Sequence, residues 1–242
     1  MPDSHWIDLV TDKMYLTSGT YSSTIKTSQS CSAVDATPTG ISYDLTNTLW
    51  CGQGGNKLYL TSGQFSATIK TSQSVAGVDV SVGDISWDNT NTPWTGYAGD
   101  KLYLQSGQFT STIKTSQSVS AVDTLPTGIS YDGTNTPWTG YSADKLYLTS
   151  GQFTSTIKTS QSVSSVDTLP WGTSYDGTDT LWTGDQAIKL YLTSGQFSST
   201  IKTSQAAGTG GTLTSVGTND VNSRLGISGG TVAPKLTLLG VG

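Results

Sequence analysis

The chain has 242 residues, a net charge of -5 and only 12% charged residues, and all of its acidic residues are aspartates. An acidic chain with so few cations is poorly suited to grip nucleic-acid phosphates, and no apolar run approaches the roughly 18 residues that a membrane-spanning helix needs. Good helix formers are scarce while Thr, Ser, Gly, Tyr and Trp are abundant, which favours strands and tight turns.

One phrase recurs along the chain with a period of 44 residues. It reads KLYLTSGQFSATIKTSQS from Lys57, returns nearly unchanged at Lys101, Lys145 and Lys189, and has a looser copy at Lys13. The same spacing relates five tryptophans: Trp6, Trp50, Trp94, Trp138 and Trp182. Self-similarity at such a period is typical of a repeat architecture.

Each repeat contains four strand-like phrases. In the copy that begins at Gly128, GISYD alternates apolar and polar residues and ends at a hairpin signal, DGTN. TPWTGY, DKLYLTSG and FTSTIKTSQSV follow as three further strands, the last of them rich in hydroxyl groups. Four strands in 44 residues indicate one blade of a β-propeller. A solenoid is the rival architecture, but it needs atypical capping repeats, whereas both outer repeats here keep the full phrases.

The first strand phrase appears only four times, although five blades need five copies. It occurs at Ile41, Ile85, Ile129 and Thr173. The period places the missing copy within Gly211–Asp220, which would close the ring beside the strand that contains Trp6. We therefore predict an all-β, five-bladed propeller of four-stranded blades over residues 1–220, followed by a connecting tail over 221–242. The phrase LGIS, at Leu225–Ser228, competes for the closing position but lies ten residues late.

The blade opening resembles a known class of propeller. TLPTGISYDGTNTPWTG is similar to the openings of NHL-type blades, which read Pro-x-Gly-apolar-x-aromatic-Asp before a turn. The matching residues are Pro126, Gly128, Ile129, Tyr131 and Asp132. This resemblance implies the fold only.

The C-terminal segment carries a second resemblance. GTLTSVGT, at Gly211–Thr218 within residues 208–242, is similar to Gly/Thr/Val/Ser segments of bacteriophage tail-fibre and other virion proteins. The resemblance implies a location in a virion or outside the cell. The apolar residues of TVAPKLTLLGVG, at residues 231–242, predict that the tail docks on other virion proteins. Host-surface glycans are expected as a second class of partner if the tryptophan row binds sugars.

The tryptophan row has two interpretations that do not exclude each other. The rings either pack between blades as core or act as platforms for sugar rings, since aromatic faces bury sugar CH groups while polar neighbours bind the hydroxyls. The candidate ligand-binding residues are Trp50, Trp94, Trp138, Trp182, Asn47, Asn91, Asn135, Tyr97 and Tyr141. The two lysine rows are expected to keep the outer edges solvated, with binding of acidic glycans as the alternative.

Nothing in the sequence indicates catalysis. The single histidine, His5, is expected to be exposed near the terminus, and no neighbouring motif completes a Ser-His-Asp arrangement. The aspartates that close the first strands, among them Asp44, are expected to bind turn amides. Cys31 and Cys51 are interpreted as small half-buried side chains, with a disulfide as the alternative. Near-identical blades argue against one asymmetric catalytic centre, so we expect no enzyme activity, catalytic residue, metal or cofactor.

Two hypotheses about function follow. The first is a structural or host-attachment protein of a bacteriophage particle, of the tail-fibre or capsid-decoration type and able to bind glycans. The second is a free-standing multivalent lectin whose five weak sites add up through avidity.

Overall fold

The structure, a computed structural model, describes residues 3–18, 25–66, 68–110, 112–154, 156–197, 200–207 and 212–218. This part of the chain forms 20 strands and no helix, so it contains no helical segment that could cross a membrane. The strands are β1 (Ser4–Asp8), β2 (Lys13–Thr17), β3 (Ile25–Ser30), β4 (Pro38–Tyr43), β5 (Asn47–Gly52), β6 (Lys57–Ser62), β7 (Ile69–Ser74), β8 (Val82–Ile85), β9 (Asn91–Gly96), β10 (Lys101–Ser106), β11 (Ile113–Ser118), β12 (Pro126–Ile129), β13 (Thr136–Gly140), β14 (Lys145–Thr149), β15 (Ile157–Ser162), β16 (Pro170–Tyr175), β17 (Thr180–Gly184), β18 (Lys189–Thr193), β19 (Ile201–Ala206) and β20 (Leu213–Thr218).

The strands form five four-stranded antiparallel sheets, which confirms the predicted five-bladed β-propeller. The first blade has the order β20-β1-β2-β3, and the other four blades follow the chain as β4–β7, β8–β11, β12–β15 and β16–β19. The strands β20, β4, β8, β12 and β16 contact one another in a closed circle. They are therefore the inner strands, and they surround the axis of the ring.

The sequence pattern explains which strands lie inside the blade and which lie at its rim. In β14 the apolar Leu146 and Leu148 are buried, as expected for a central strand packed between neighbouring blades. In the outer strand β15 the residues from Lys158 to Ser160 are exposed. The predicted polar outer edge is confirmed, and such an edge discourages edge-to-edge pairing.

The closing strand is the one that the period predicts, displaced by one residue. β20 pairs antiparallel with β1, with Val216 opposite Trp6. In the fifth blade the equivalent pair is Thr173 and Trp182, so Val216 lies one residue earlier than a strict 44-residue period would place it. The connection into β20 is shorter by that residue. The rival phrase at 225–228, the end of the predicted domain at residue 220 and the predicted tail lie outside the described residues.

A row of buried aspartates that the sequence analysis did not single out ties each blade together. In the third blade Asp79 accepts hydrogen bonds from the backbone N–H groups of Ala98 and Gly99, at 3.2 and 3.0 Å, and from the Tyr103 hydroxyl at 3.3 Å. A Cβ on Gly96 would overlap this carboxylate. The equivalent aspartates are Asp35, Asp123 and Asp167.

In the first blade a different residue accepts the hydrogen bonds of the turn between the second and third strands. By the sequence period its counterpart of Asp79 is a glycine, and its counterpart of Gly96 is Asp8. The Asp8 carboxylate accepts from the Val10 N–H at 3.0 Å and from the Thr11 hydroxyl at 2.9 Å. One carboxylate per blade therefore binds the turn between the second and third strands, from the loop before the inner strand or, in the first blade, from the end of β1.

Both cysteines are buried and free, so the interpretation as small packed side chains holds and the disulfide alternative does not. Burial raises the pKa of the Cys31 thiol to about 12 and raises the pKa of the Cys51 thiol well above its usual value. Neither is a reactive thiolate at neutral pH.

Candidate binding site at the axial mouth

At the end of each of four inner strands lies a triplet of a serine, an aromatic residue and an aspartate, and the four triplets surround one end of the axis. They are Ser42-Tyr43-Asp44, Ser86-Trp87-Asp88, Ser130-Tyr131-Asp132 and Ser174-Tyr175-Asp176. All four serines and three of the aromatic residues line one shared pocket. Among the described residues the first blade contributes Val216 and Gly217 to the lining, and we call this site the axial mouth. The sequence signal for this site is the aromatic residue before each turn aspartate, which by resemblance indicates only the fold.

The pocket of the axial mouth is polar and shallow. It encloses about 20 Å³ above a floor that includes Ile41, Ile85 and Ile129, which is roughly the room that one water molecule needs. The Ser130 hydroxyl is buried there and has no hydrogen-bond partner among the described residues. A ligand would therefore rest on the rim and reach inward with one polar group.

The rim carries four half-buried aromatic rings in a negatively charged setting. The Tyr131 hydroxyl donates a hydrogen bond to the Gly133 carbonyl at 2.9 Å. Burial raises the pKa of Tyr131, and the charges of Asp132 and Asp88 raise it further. Burial and nearby aspartates also raise the pKa of Tyr175. Both phenols keep their protons at neutral pH, and because the Tyr131 proton is already donated to Gly133, its oxygen is left to accept from a ligand. The nearby aspartates repel anions.

The aspartates of the mouth hold its loops in place, and their predicted turn role is confirmed. Asp44 accepts a hydrogen bond from the Thr46 N–H at 2.8 Å. Its second oxygen accepts from the side chain of Gln108, which belongs to the next blade. The same link between blades recurs as Gln152–Asp88 and Gln196–Asp132. Neighbouring loops are thus locked together, which positions the rim before any ligand arrives.

The expectation that His5 is exposed is wrong. Its side chain is fully buried, because the segment near the N-terminus is a strand inside a blade. The imidazole stacks on Phe65 with 5.5 Å between ring centroids, lies 5.5 Å from the Tyr43 ring, and contacts Gln64 Nε2 through its own Nε2 at 3.2 Å. In the first blade His5 is therefore the partner of the next blade's glutamine, as Asp44, Asp88 and Asp132 are in the second, third and fourth blades.

Deeper along the axis, one buried carboxylate joins several blades. Asp84 stands where three other inner strands have glycine, and it is 1% exposed. The Ser215 hydroxyl donates to it at 2.8 Å, and the Ile129 N–H donates at 3.0 Å. Ser215 Oγ in turn accepts from the Ile41 N–H at 3.1 Å. Burial raises the pKa of Asp84 well above its usual value, although these bonds oppose the shift.

The two tyrosines predicted as ligand-binding lie at the opposite end of the axis. Tyr97 and Tyr141 pack edge-on against Trp171, with ring centroids 5.7 and 5.6 Å apart. The Tyr97 hydroxyl is buried, and burial raises its pKa well above the usual value. The structure does not bring these residues together with the aromatic rim of the mouth.

The four tryptophans predicted as ligand-binding are core residues. Trp50, Trp94, Trp138 and Trp182 are 0–1% exposed. Each indole stacks on a tyrosine of the adjacent strand, for example Trp138 on Tyr147 at 4.2 Å between centroids. The prediction that these positions are equivalent and buried is confirmed, and the rings present no exposed face to a sugar.

The predicted asparagines are buried and occupied by protein groups. Asn47 accepts a hydrogen bond from Lys70 Nζ at 3.1 Å. The pairs Lys114–Asn91 and Lys158–Asn135 repeat this contact, each at 3.2 Å. In the fifth blade Asp179 replaces the asparagine and forms a salt bridge of 2.6 Å with Lys202. The second lysine row therefore spans from the outer to the second strand of its blade.

The chain matches no protein-family model and none of the curated proteins. Among solved structures, one of a nidogen/laminin complex aligns with a TM-score of 0.60 and 10% identity, over 92% of this chain and 99% of that chain. A catalytically inactive virginiamycin B lyase from Staphylococcus aureus, solved with quinupristin, aligns with a TM-score of 0.50 and 15% identity, over 78% of this chain and 62% of that chain. A streptogramin B lyase aligns with a TM-score of 0.47 and 16% identity, over 66% of this chain and 52% of that chain. The chain thus spans about half to two thirds of the length of these lyases, and the likeness shows the fold alone.

The expectation that the chain is not an enzyme is corrected by these comparisons. Among the structures that share its fold is a lyase, the virginiamycin B lyase. Repetition of blades does not prevent one asymmetric site, because single residues can differ between copies. Asp84 and His5 are two such differences in this chain.

Proposed function

We propose that the protein is a structural or host-attachment protein of a bacteriophage particle, and that its axial mouth binds a neutral glycan on the host surface. The observation that carries the proposal is the set of three half-buried aromatic rings, Trp87, Tyr131 and Tyr175, that line one polar pocket. Aromatic faces bury the apolar CH surface of a sugar, while hydroxyl groups fix its orientation.

The negative charge around the mouth favours a neutral glycan over an acidic one. Four aspartates surround the rim, and the charges of three of them, Asp88, Asp132 and Asp176, contribute to the raised pKa of Tyr131 or Tyr175. Like charges in a confined site repel an anionic ligand. A neutral glycan therefore fits better than an acidic one. The second lysine row, which could have bound acidic sugars, contacts asparagines or aspartates of its own blades instead.

Support for a virion context comes from the sequence of the closing strand. Gly211–Thr218 resembles segments of tail-fibre proteins, and most of this segment forms β20. We propose that residues 221–242 bind other virion proteins, and that the protein is located on the particle. An antibody against the propeller should label particles purified from lysates that contain the protein. Its presence only in particle-free supernatant would contradict this location.

The glycan proposal is tested with one variant and a matched control. Trp87→Ala removes a half-buried ring from the mouth and should weaken binding on a neutral-glycan array about tenfold, because an aromatic contact contributes about 1.5 kcal/mol. Trp171→Ala removes a half-buried ring from the opposite end of the axis and should leave binding unchanged. Loss of binding in the Trp171 variant but not in the Trp87 variant would place the glycan site at the end of the axis opposite the mouth and would contradict the proposal.

A free-standing five-site lectin remains the second candidate, because two equivalent clefts open between outer strands. One, between the first and second blades, encloses about 120 Å³, and the other, between the fifth and first blades, about 180 Å³. Titration calorimetry separates the candidates by stoichiometry. The axial mouth predicts one glycan per chain, whereas repeated clefts predict up to five.

A further inference from the structure

We propose that the cleft between the fifth and first blades binds a small neutral ring that carries one hydroxyl group, such as a phenol. This cleft shares no lining residue with the axial mouth, so the inference does not depend on glycan binding there. We call it the fifth–first cleft, and its lining residues are Trp6, Thr17, Ile25, Leu190, Gln205, Ala206 and Ala207.

The fifth–first cleft is roomy because of one substitution in the repeat. Ala207 stands where the other outer strands are followed by a larger side chain: Cys31, Val75, Val119 or Val163. All four of those larger side chains are buried, at 1–2% exposed. The fifth–first cleft encloses about 180 Å³, against about 120 Å³ in the equivalent cleft beside Cys31. Apolar cavities of about 150 Å³ bind a benzene ring.

The same cleft contains an indole N–H without a partner. In the second, fourth and fifth blades the tryptophan Nε1 donates to a threonine hydroxyl at 2.8 Å, in the pairs Trp50–Thr61, Trp138–Thr149 and Trp182–Thr193. In the first blade the Thr17 hydroxyl donates instead to the Ser4 carbonyl at 3.2 Å. Trp6 is 3% exposed, and its Nε1 has no hydrogen-bond partner in the part of the chain that the structure describes.

An unpaired acceptor completes the site. Gln205 Oε1 is buried in the structure and also lacks a partner among the described residues. A buried donor and a buried acceptor that both lack partners are unfavourable, because each has lost its hydrogen bonds to water. One hydroxyl group satisfies both, since it accepts from Trp6 Nε1 and donates to Gln205 Oε1.

The third blade has an unpaired indole N–H but no alanine beside it. Trp94 Nε1 is also buried without a partner among the described residues, because Gln105 replaces the threonine. There, however, the buried Val75 packs in the same core cluster as Trp94. Only at the fifth–first cleft does the unpaired indole meet an alanine.

The rest of the lining sets the class of ligand. Ile25, Leu190 and Ala207 are apolar, and none of the lining residues is charged. An ionised ligand would lose its hydration without gaining a counter-charge. The site therefore fits a neutral ring with a single hydroxyl, and it discriminates against the same ring without the hydroxyl.

The test adds phenol or benzene to the full chain and follows the indole N–H signals in ¹H–¹⁵N spectra. Phenol should shift one indole signal, the one that Trp6→Phe removes, and should bind about fivefold more tightly than benzene because of its hydrogen bonds. In Trp6→Phe, which keeps only the Gln205 acceptor, the preference for phenol over benzene should be smaller than in the wild type. Equal binding of phenol and benzene by the wild type, or no binding of either, would overturn the proposal.

A second variant keeps the proposal testable if Trp6→Phe fails to fold. Ala207→Val restores the side chain found after three other outer strands and should abolish phenol binding without lowering the melting temperature. Ala76→Val makes the same chemical change on an exposed loop residue and should bind phenol as the wild type does. Undiminished phenol binding by Ala207→Val would show that the cleft is not the site.

Discussion

At the scale of single residues, the tryptophan row stabilises the blades. Trp138 is fully buried, stacks on Tyr147 at 4.2 Å and donates from Nε1 to the Thr149 hydroxyl at 2.8 Å. Each blade repeats this stack at 4.1–4.2 Å. The ring thus combines apolar burial with a satisfied polar group, so its loss affects both packing and hydrogen bonding.

We expect Trp138→Ala to lower the free energy of unfolding by about 3–5 kcal/mol, as large-to-small changes at buried aromatic residues do. Urea denaturation followed by tyrosine fluorescence or circular dichroism measures the change. Trp87→Ala, at the half-exposed rim, is the control and should lower it by about 1 kcal/mol or less. A Trp138 variant that kept its stability but lost glycan binding would favour the sugar-platform interpretation after all.

Asp84 is the residue that links stability to pH. Its folded-state pKa is raised, so the native protein holds this proton more tightly than the unfolded chain does. The stability that comes from this proton is fully present below the ordinary value of 3.8 and is lost as the pH rises through the raised pKa. Asp84→Asn has no such proton, and other titrating groups are common to both proteins.

We therefore expect the melting temperature of the wild type, measured relative to that of Asp84→Asn, to fall as the pH rises from about 4 to 7. Scanning calorimetry at several pH values measures the difference. A difference that stayed flat or grew with pH would mean that Asp84 is ionised in the folded protein.

At the scale of the structural element, one carboxylate binds the turn between the second and third strands of each blade. Asp79 does this in the third blade and leaves no room for a side chain at Gly96. Asp8 does it in the first blade from the position equivalent to Gly96. The two arrangements are alternatives, since both carboxylates cannot occupy one place.

Exchanging the two residues should reproduce the first blade within the third. Asp79→Gly removes the acceptor, and Gly96→Asp creates overlap, so each single change should destabilise the protein by about 1–3 kcal/mol. The double variant should be more stable than the sum of the two changes predicts, by about 1 kcal/mol or more. Chemical denaturation of the four proteins in the cycle gives this coupling. Strictly additive effects would show that Asp8 is not a substitute for the aspartate row.

At the scale of the whole molecule, the ring depends on a strand from the far end of the chain. β20 contributes the buried Leu213 and Val216, each worth about 1.5–3 kcal/mol of burial. Its Ser215 also connects the second blade to Asp84. Loss of β20 would expose the edge of β1 and the cores on both sides of it.

We expect truncation after Gly210 to open the ring and to lower the melting temperature sharply, whereas truncation after Asp220 should leave a folded propeller. Thermal melts and small-angle scattering of the two proteins check this. The longer form should also fail to join virion particles if residues 221–242 are the anchor. Unfolding of the longer form would mean that the closing strand includes residues beyond 220.

The blade number, the four strands of each blade and the position of the closing strand followed from the sequence alone. Spacing and alternation are local properties, and a 44-residue period with one missing phrase leaves little freedom in topology. The one-residue displacement of β20 was not predicted, because the length of a connection depends on how the ring closes.

The sites were decided by the tertiary structure. In the sequence the tryptophans are the most conspicuous aromatic residues, but packing between blades buries them and exposes the less conspicuous Tyr131 and Tyr175 at the axis. In the sequence, Asp84 is a single aspartate at a position where three other inner strands have glycine. It is hydrogen-bonded to residues of other blades only because the inner strands meet at the axis. A repeat sequence specifies equivalent positions, but the side of a blade, the axis and the gaps between blades exist only after the ring has closed.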